Sequence, residues 1–220
     1  MKKILFIVTS HPSITKSNPT GVWLEEFALP YETFRKEGYH IETVSLKGGS
    51  VPIDPNSYNI PDELKEGWKD SLVALENTKV INGTIADHYD ALFIPGGHGA
   101  MYDLSESTEV AELLMDFVEQ DKIVAAVCHG PAAFAQAKYG DGTPFVSGKK
   151  MTAFTNEEEK EMGLTEDMPF LLESKLRELG AHFIQTPNWQ PHIQQDGKLI
   201  TGQNPQSSGP IAEKVLTLLR

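Results

Sequence analysis

Short runs of consecutive apolar residues alternate along the chain with stretches whose apolar positions recur every three or four residues. KILFIVTS (Lys3 to Ser10) is a continuous β-type run, the pattern of a strand covered on both faces. From Gly21 to Gly38, Trp23, Phe27, Tyr31 and Phe34 form a stripe at helical spacing that Gly38 ends, and Pro30 inside it predicts a kink or a division. His40 to Leu46 reads as a second strand, and Asp90 to Gly97 as a strand ending in a glycine turn. Thr108 to Gln120 is a predicted helix with Val110, Leu113, Leu114 and Phe117 on one face. Lys122 to Cys128 is a strand that runs directly into the Ala-rich GPAAFAQAK, Gly130 to Lys138, which reads as a helix. Lys149 to Thr155 reads as another strand and Phe170 to Gly180 as an amphipathic helix. AHFIQT and KLITG read as late strands, and Ile211 to Leu219 as a closing helix.

Lys47 to Gly67 breaks the alternation. It is rich in Gly, Pro, Asn and Asp, with a short helical hint at Pro61 to Glu66, and another short helix is expected at Ser71 to Glu76. A loop this long either covers a functional site or is a surface excursion or oligomer contact. Alternating strands and helices otherwise predict an α/β fold with a parallel sheet covered on both faces and ligands bound at the strands' carboxyl edge. No repeat or linker divides residues 1–220, so one domain is expected.

Composition narrows the class. The 19 basic and 31 acidic side chains give a net charge of −12, which opposes binding to nucleic acid and to anionic membrane surfaces. No apolar run approaches the ~18 residues of a membrane span. MKKILFIVTSHPS superficially resembles a signal peptide, but its apolar run is too short and no small-residue cleavage site follows, so a cytoplasmic protein is expected. The single cysteine, Cys128, excludes an intrachain disulfide and a multi-cysteine metal cluster. His11, His40, His88, His182 and His192 are scattered without metal-ligand spacing, so no metal is expected.

Cys128 carries the strongest chemical signal. It stands between a buried strand and Gly130-Pro131, a strand-to-helix elbow that exposes a side chain at the sheet edge, where a helix N-terminus would lower a thiol's pKa. Without such neighbours, a lone cysteine is a small core hydrophobe. PGGHGAM (Pro95 to Met101) ends the preceding strand, and the amides of Gly97 and His129 are positioned to converge on an oxyanion beside the sulfur. His98, in the same turn, is a candidate for lining the pocket, and Trp189 either contacts substrate or plugs the surface. The turn lacks the Lys-Ser/Thr of a phosphate loop and the second half of a dinucleotide fingerprint, so NAD is not expected.

PGGHGAM together with AVCHGPAAF resembles the ThiJ/PfpI superfamily, related to class I glutamine amidotransferases, and within it the glyoxalase III and heat-shock chaperone branch. The likeness extends over TGVWLEE, FRKEGYHIETVS, MTAFTNEEE and KLITGQNP. It implies a flavodoxin-like sandwich, a reactive cysteine and a homodimer. It assigns the nucleophile to Cys128 and its neighbour to His129. The acid beside the sulfur falls on Glu26, with Glu25 as the alternative register, and the acidic partner of His129 falls on Glu159, with Glu157 and Glu158 adjacent.

The implied reaction is the conversion of a 2-oxoaldehyde such as methylglyoxal to a 2-hydroxy acid such as lactate through a hemithioacetal on Cys128. It needs no redox cofactor, metal or glutathione. Competing readings are a cysteine peptidase or amidase, a protein deglycase, a holdase chaperone for unfolded clients, and a redox sensor at Cys128.

Overall fold

The computed structural model describes residues 2–220. Its elements are β1 (Lys3–Val8), a small ladder of β2 (Ser13–Thr15) with β3 (Asn18–Pro19), α1 (Leu24–Lys36), β4 (His40–Ser45), α2 (Pro55–Tyr58), α3 (Asp62–Gly67), α4 (Lys69–Glu76), β5 (Lys79–Val80) and β6 (Ala91–Ile94). After these come α5 (Thr108–Glu119), β7 (Ile123–Val127), β8 (Lys150–Met151), α6 (Asn156–Glu161), α7 (Leu172–Glu178), β9 (His182–Phe183), β10 (Ile193–Asp196), β11 (Leu199–Gly202) and α8 (Ser208–Leu219). The main sheet runs β10-β11-β7-β6-β1-β4-β5 and is parallel except for the β10–β11 pair.

The continuous apolar strands follow from burial on both faces. Leu5 and Ile7 of β1 pack with Leu92, Ile94, Val124 and Ala126 in the core under α5 and α7. Ile4, Phe6 and Val8 turn the other way, with Ala91, Phe93, Ala125 and Val127, into a second core shared with α1 and α8. Two-residue alternation thus feeds two cores, and no position of Ile4–Val8, β6 or β7 is left for water. This is the α/β flavodoxin-like sandwich.

Three local expectations are corrected. Gly130 to Lys138 is not a helix: a single 3₁₀ turn spans Gly130–Phe134, and Lys138 then bridges antiparallel to Pro144. The strands expected at Lys149 to Thr155 and in AHFIQT shrink to the two-residue β8 and β9, which pair with each other outside the main sheet. Pro30 neither divides nor ends α1, which continues to Lys36.

The Lys47 to Gly67 excursion contains α2 and α3 and braces the start of α1. Val22 N–H donates to Pro52 O at 2.8 Å, and Asp54 N–H donates to Val22 O at 2.9 Å. The Ser57 hydroxyl accepts the Leu24 N–H at 3.0 Å, acting as a cap borrowed from another segment.

Candidate active site

Strands β6 and β7 are neighbours with Ile94 opposite Ala126, so the turns that follow them lie side by side at the sheet's carboxyl edge. Cys128 is the first residue beyond β7. Its N–H donates to Gly202 O at 2.9 Å and its carbonyl accepts the Phe154 N–H at 3.0 Å. Held on both sides, it adopts φ +58°, a left-handed conformation that costs a non-glycine residue about 1–2 kcal/mol.

Glu26 approaches from α1 and is fully buried. Its Oε2 accepts the Gly96 N–H at 2.7 Å, and the Cys128 thiol faces the carboxyl. A Cβ on Gly96 would sit 2.6 Å from that oxygen, so only glycine lets the backbone come this close. Burial raises the Glu26 pKa to about 8, against the lowering effect of the nearby Cys128 thiol and the Gly96 N–H, while its other oxygen, Oε1, has no hydrogen-bond partner among the described residues. Glu25 points outward to the pocket rim, so of the two registers Glu26 is the one that meets the sulfur.

Burial, followed by the charge of Glu26, also pushes the Cys128 thiol up. The lowering expected from a helix N-terminus is therefore not found: burial and the Glu26 charge decide the thiol's ionisation, and a 3₁₀ turn stands where the long helix was expected.

His129 and Glu159 form a relay with the sulfur. His129 Nδ1 lies 3.3 Å from Cys128 Sγ, and its Nε2 lies 2.8 Å from Glu159 Oε2. Burial raises the Glu159 pKa, but His129 and His98 together outweigh it and hold the carboxyl well below the usual carboxylate range. An ionised carboxylate only accepts, so Nε2 of His129 carries the proton and Nδ1 is left to accept from the thiol. Burial, then the neighbouring His98, lowers the pKa of His129 and keeps it neutral near pH 7.

His98 lines the pocket as expected, but its Nε2 bonds Glu159 Oε1 at 2.8 Å. One carboxylate therefore holds two imidazoles, whose ring centres are 4.1 Å apart. The donor atoms of His98, His129 and Glu159 lie within 4.8 Å of one another, a spacing a cation could use. Glu159 already satisfies both Nε2 groups, so a cation would have to displace both bonds.

The three consecutive glutamates of α6 have different roles. Glu157 is exposed. Glu159 faces the histidines. Glu158, fully buried, accepts five bonds: from Trp189 N–H at 3.0 Å, Gln203 Nε2 at 3.1 Å, Asn204 Nδ2 at 2.8 Å, and the Thr155 amide and hydroxyl at 3.1 Å each. Sequence reasoning missed this network. Its one signal was the capping-box spacing of Thr155 and Glu158.

Above the sulfur lies a cavity of about 130 Å³. Trp23, Phe154, Met162, Trp189 and Pro205 give it an apolar wall, and Gly97, His98 and His129 line it beside Cys128. The His129 amide leans on the sulfur, and the Gly97 amide donates to no backbone or side-chain acceptor among the described residues.

The sequence matches the DJ-1/PfpI family over residues 19–218. The chain belongs to that family. Among its DJ-1/PfpI relatives is the glutathione-independent glyoxalase hsp3102 of Schizosaccharomyces pombe, 30% identical over 239 residues that cover 99% of this chain and 98% of that protein. Glyoxalase 3 of Candida albicans is 32% identical over 232 residues, covering 98% of each. The crystal structure of glyoxalase III from Candida albicans superposes with a TM-score of 0.90 over 98% of this chain and 96% of that one, at 32% identity. The Rapid Encystment Protein 24 kDa of Francisella tularensis matches at TM-score 0.94 and 34% identity over 100% of both chains.

Proposed function

We propose that this protein is a glutathione-independent glyoxalase that converts 2-oxoaldehydes such as methylglyoxal to 2-hydroxy acids such as lactate, with Cys128 as nucleophile. The observation that carries the reading is a fully buried carboxyl beside a buried thiol that also meets a His–Glu relay. Family relatives named as glyoxalases support it.

In the proposed mechanism, Cys128 sulfur bonds to the aldehyde carbon C1 while its proton passes to His129 Nδ1, and Glu159 stabilises the imidazolium. The amides of Gly97 and His129 hold the oxygen on C1, and the Glu26 proton neutralises it, giving the hemithioacetal. Glu26, now a carboxylate, takes the hydrogen from C1 as a proton. His129 protonates the C2 oxygen, and an enediol forms. Glu26 returns its proton to C2 and takes up the proton of the C1 hydroxyl, so that the thioester of the 2-hydroxy acid results with Glu26 again protonated. Water then cleaves the C–S bond, restoring the thiol. C1 is oxidised as C2 is reduced, so the sum is one oxoaldehyde plus one water to one hydroxy acid.

The test is lactate formation from methylglyoxal without glutathione, measured for wild type, Cys128→Ala and Glu26→Gln beside casein and a peptide ester. Enzyme-dependent lactate that both substitutions abolish supports the reading. Turnover of the ester or casein alone makes the protein a hydrolase instead.

A further inference from the structure

The cavity over Cys128 has an apolar, largely aromatic wall made by Trp23, Phe154, Met162, Trp189 and Pro205. A substrate bonded to Cys128 places C1 and its oxygen at the Gly97 and His129 amides, with C2 toward Glu26 and the histidines. The substituent on C2 then extends from the reacting atoms into the remaining space. The cavity's roughly 130 Å³ compares with the ~150 Å³ apolar cavity that accommodates a benzene molecule. The reacting carbons and their oxygens take part of that space, and a methyl group on C2 meets less of the apolar wall than a larger apolar substituent would, so it gains fewer dispersion contacts with the lining.

The wall is also rigid. The Phe154 ring packs on His129 with centres 4.4 Å apart, and Trp189 meets Phe154 edge-on at 5.7 Å. Trp189 sits at φ +61°, with its amide on Glu158 at 3.0 Å and its indole Nε1 donating to Glu161. The adjacent Asn188 also bonds Glu161, at 2.8 Å. A loop in an unfavourable backbone conformation, pinned at three points, presents a fixed aromatic face, and such preorganisation favours binding. The one charged group on the rim is acidic, Glu25, and no Lys or Arg lines the cavity among the described residues. A carboxylate or phosphate on the substrate would find no counter-charge there.

Building on the glyoxalase reading, we infer that the preferred substrates are neutral 2-oxoaldehydes bearing an aromatic or branched apolar substituent on C2, with Trp189 as the specificity-determining residue. The experiment compares kcat/KM for methylglyoxal, isopropylglyoxal and phenylglyoxal in wild type, Trp189→Ala and Trp189→Phe, following enzyme-dependent 2-hydroxy acid formation. For wild type, kcat/KM should rise along the series to at least about tenfold over methylglyoxal, a ratio within the 10–200-fold range that small changes of apolar contact supply. The gain should reside mainly in KM. Trp189→Ala should cut the phenyl-to-methyl ratio several-fold, and Trp189→Phe should retain most of it. Turnover of methylglyoxal with an equal or lower kcat/KM for phenylglyoxal overturns this inference and leaves the glyoxalase reading standing. A phenyl preference that Trp189→Ala leaves intact removes Trp189 from the role. Turnover of none of the three overturns both readings.

Discussion

Replacing Glu26 with glutamine should make the protein more stable while removing its activity. The carboxyl titrates near pH 4.5 when the chain is unfolded, whereas in the fold burial raises it to about 8. The folded state thus binds the proton more tightly. The contribution of this group is fully present below pH 4.5 and is lost progressively as pH rises to about 8. Each pH unit between those limits costs ~1.4 kcal/mol, so wild type forfeits about 2 kcal/mol at pH 6 and about 3 kcal/mol at pH 7. The glutamine of the Glu26→Gln variant has no proton to lose, and its side-chain oxygen can still accept the Gly96 N–H. The assay is urea unfolding of both proteins at half-unit steps from pH 4.5 to 7.5. Other titrating groups are common to both and cancel in the difference. That difference should climb in favour of the variant by about 3 kcal/mol, which at this chain length is roughly 6–12 °C in melting temperature near neutrality. A difference that stays flat across the interval would mean that Glu26 is not held neutral, and the acid–base cycle assigned to it would fall.

Two further outcomes follow from the site. Activity should be bell-shaped in pH: it is lost on the acid side as His129 protonates, below its ordinary 6.5, and on the alkaline side near pH 8 as Glu26 gives up the proton needed for the C1 oxygen. A kcat/KM profile still rising above pH 9 contradicts this assignment. Glu158→Ala leaves five donors around a buried void and should cost on the order of 3–5 kcal/mol, readable by urea unfolding, with a matching loosening of Trp189 seen as a shift in tryptophan fluorescence. A loss under about 1 kcal/mol would show that water replaces the carboxylate.

Much of the site could be read from the chain because its parts sit at strand ends, where pattern and motif coincide. The apolar runs gave β1, β6 and β7 to within a few residues, and PGGHG and CH follow them directly. Two-sided burial explains why these strands read clearly. The Ala-rich segment after Cys128 misled because helix propensity is a weak local preference: all five residues of Gly130–Phe134 are buried, and packing there overrides it. The expected lowering of the cysteine's pKa rested on that helix and left out the burial and the Glu26 charge that push the thiol up. Only the capping-box spacing from Thr155 marks Glu158 apart from Glu159 locally. Their roles depend on Gln203 and Asn204, some 45 residues away, and on His98, 61 residues away. The antiparallel β10 was missed because IQQD lacks an apolar alternation, as suits an edge strand.

The segment running from Pro52 to Ser57 contributes no atom to the cavity, yet it fixes where the first helix begins, and Glu26 stands two residues beyond the hydroxyl-capped amide. Substitutions there would act at a distance, as a trim on the acid's placement against the sulfur. A stretch with the composition of a freely varying surface loop is thereby bound to the chemistry, and sequences that diverge within it would differ in rate without differing in a single substrate contact.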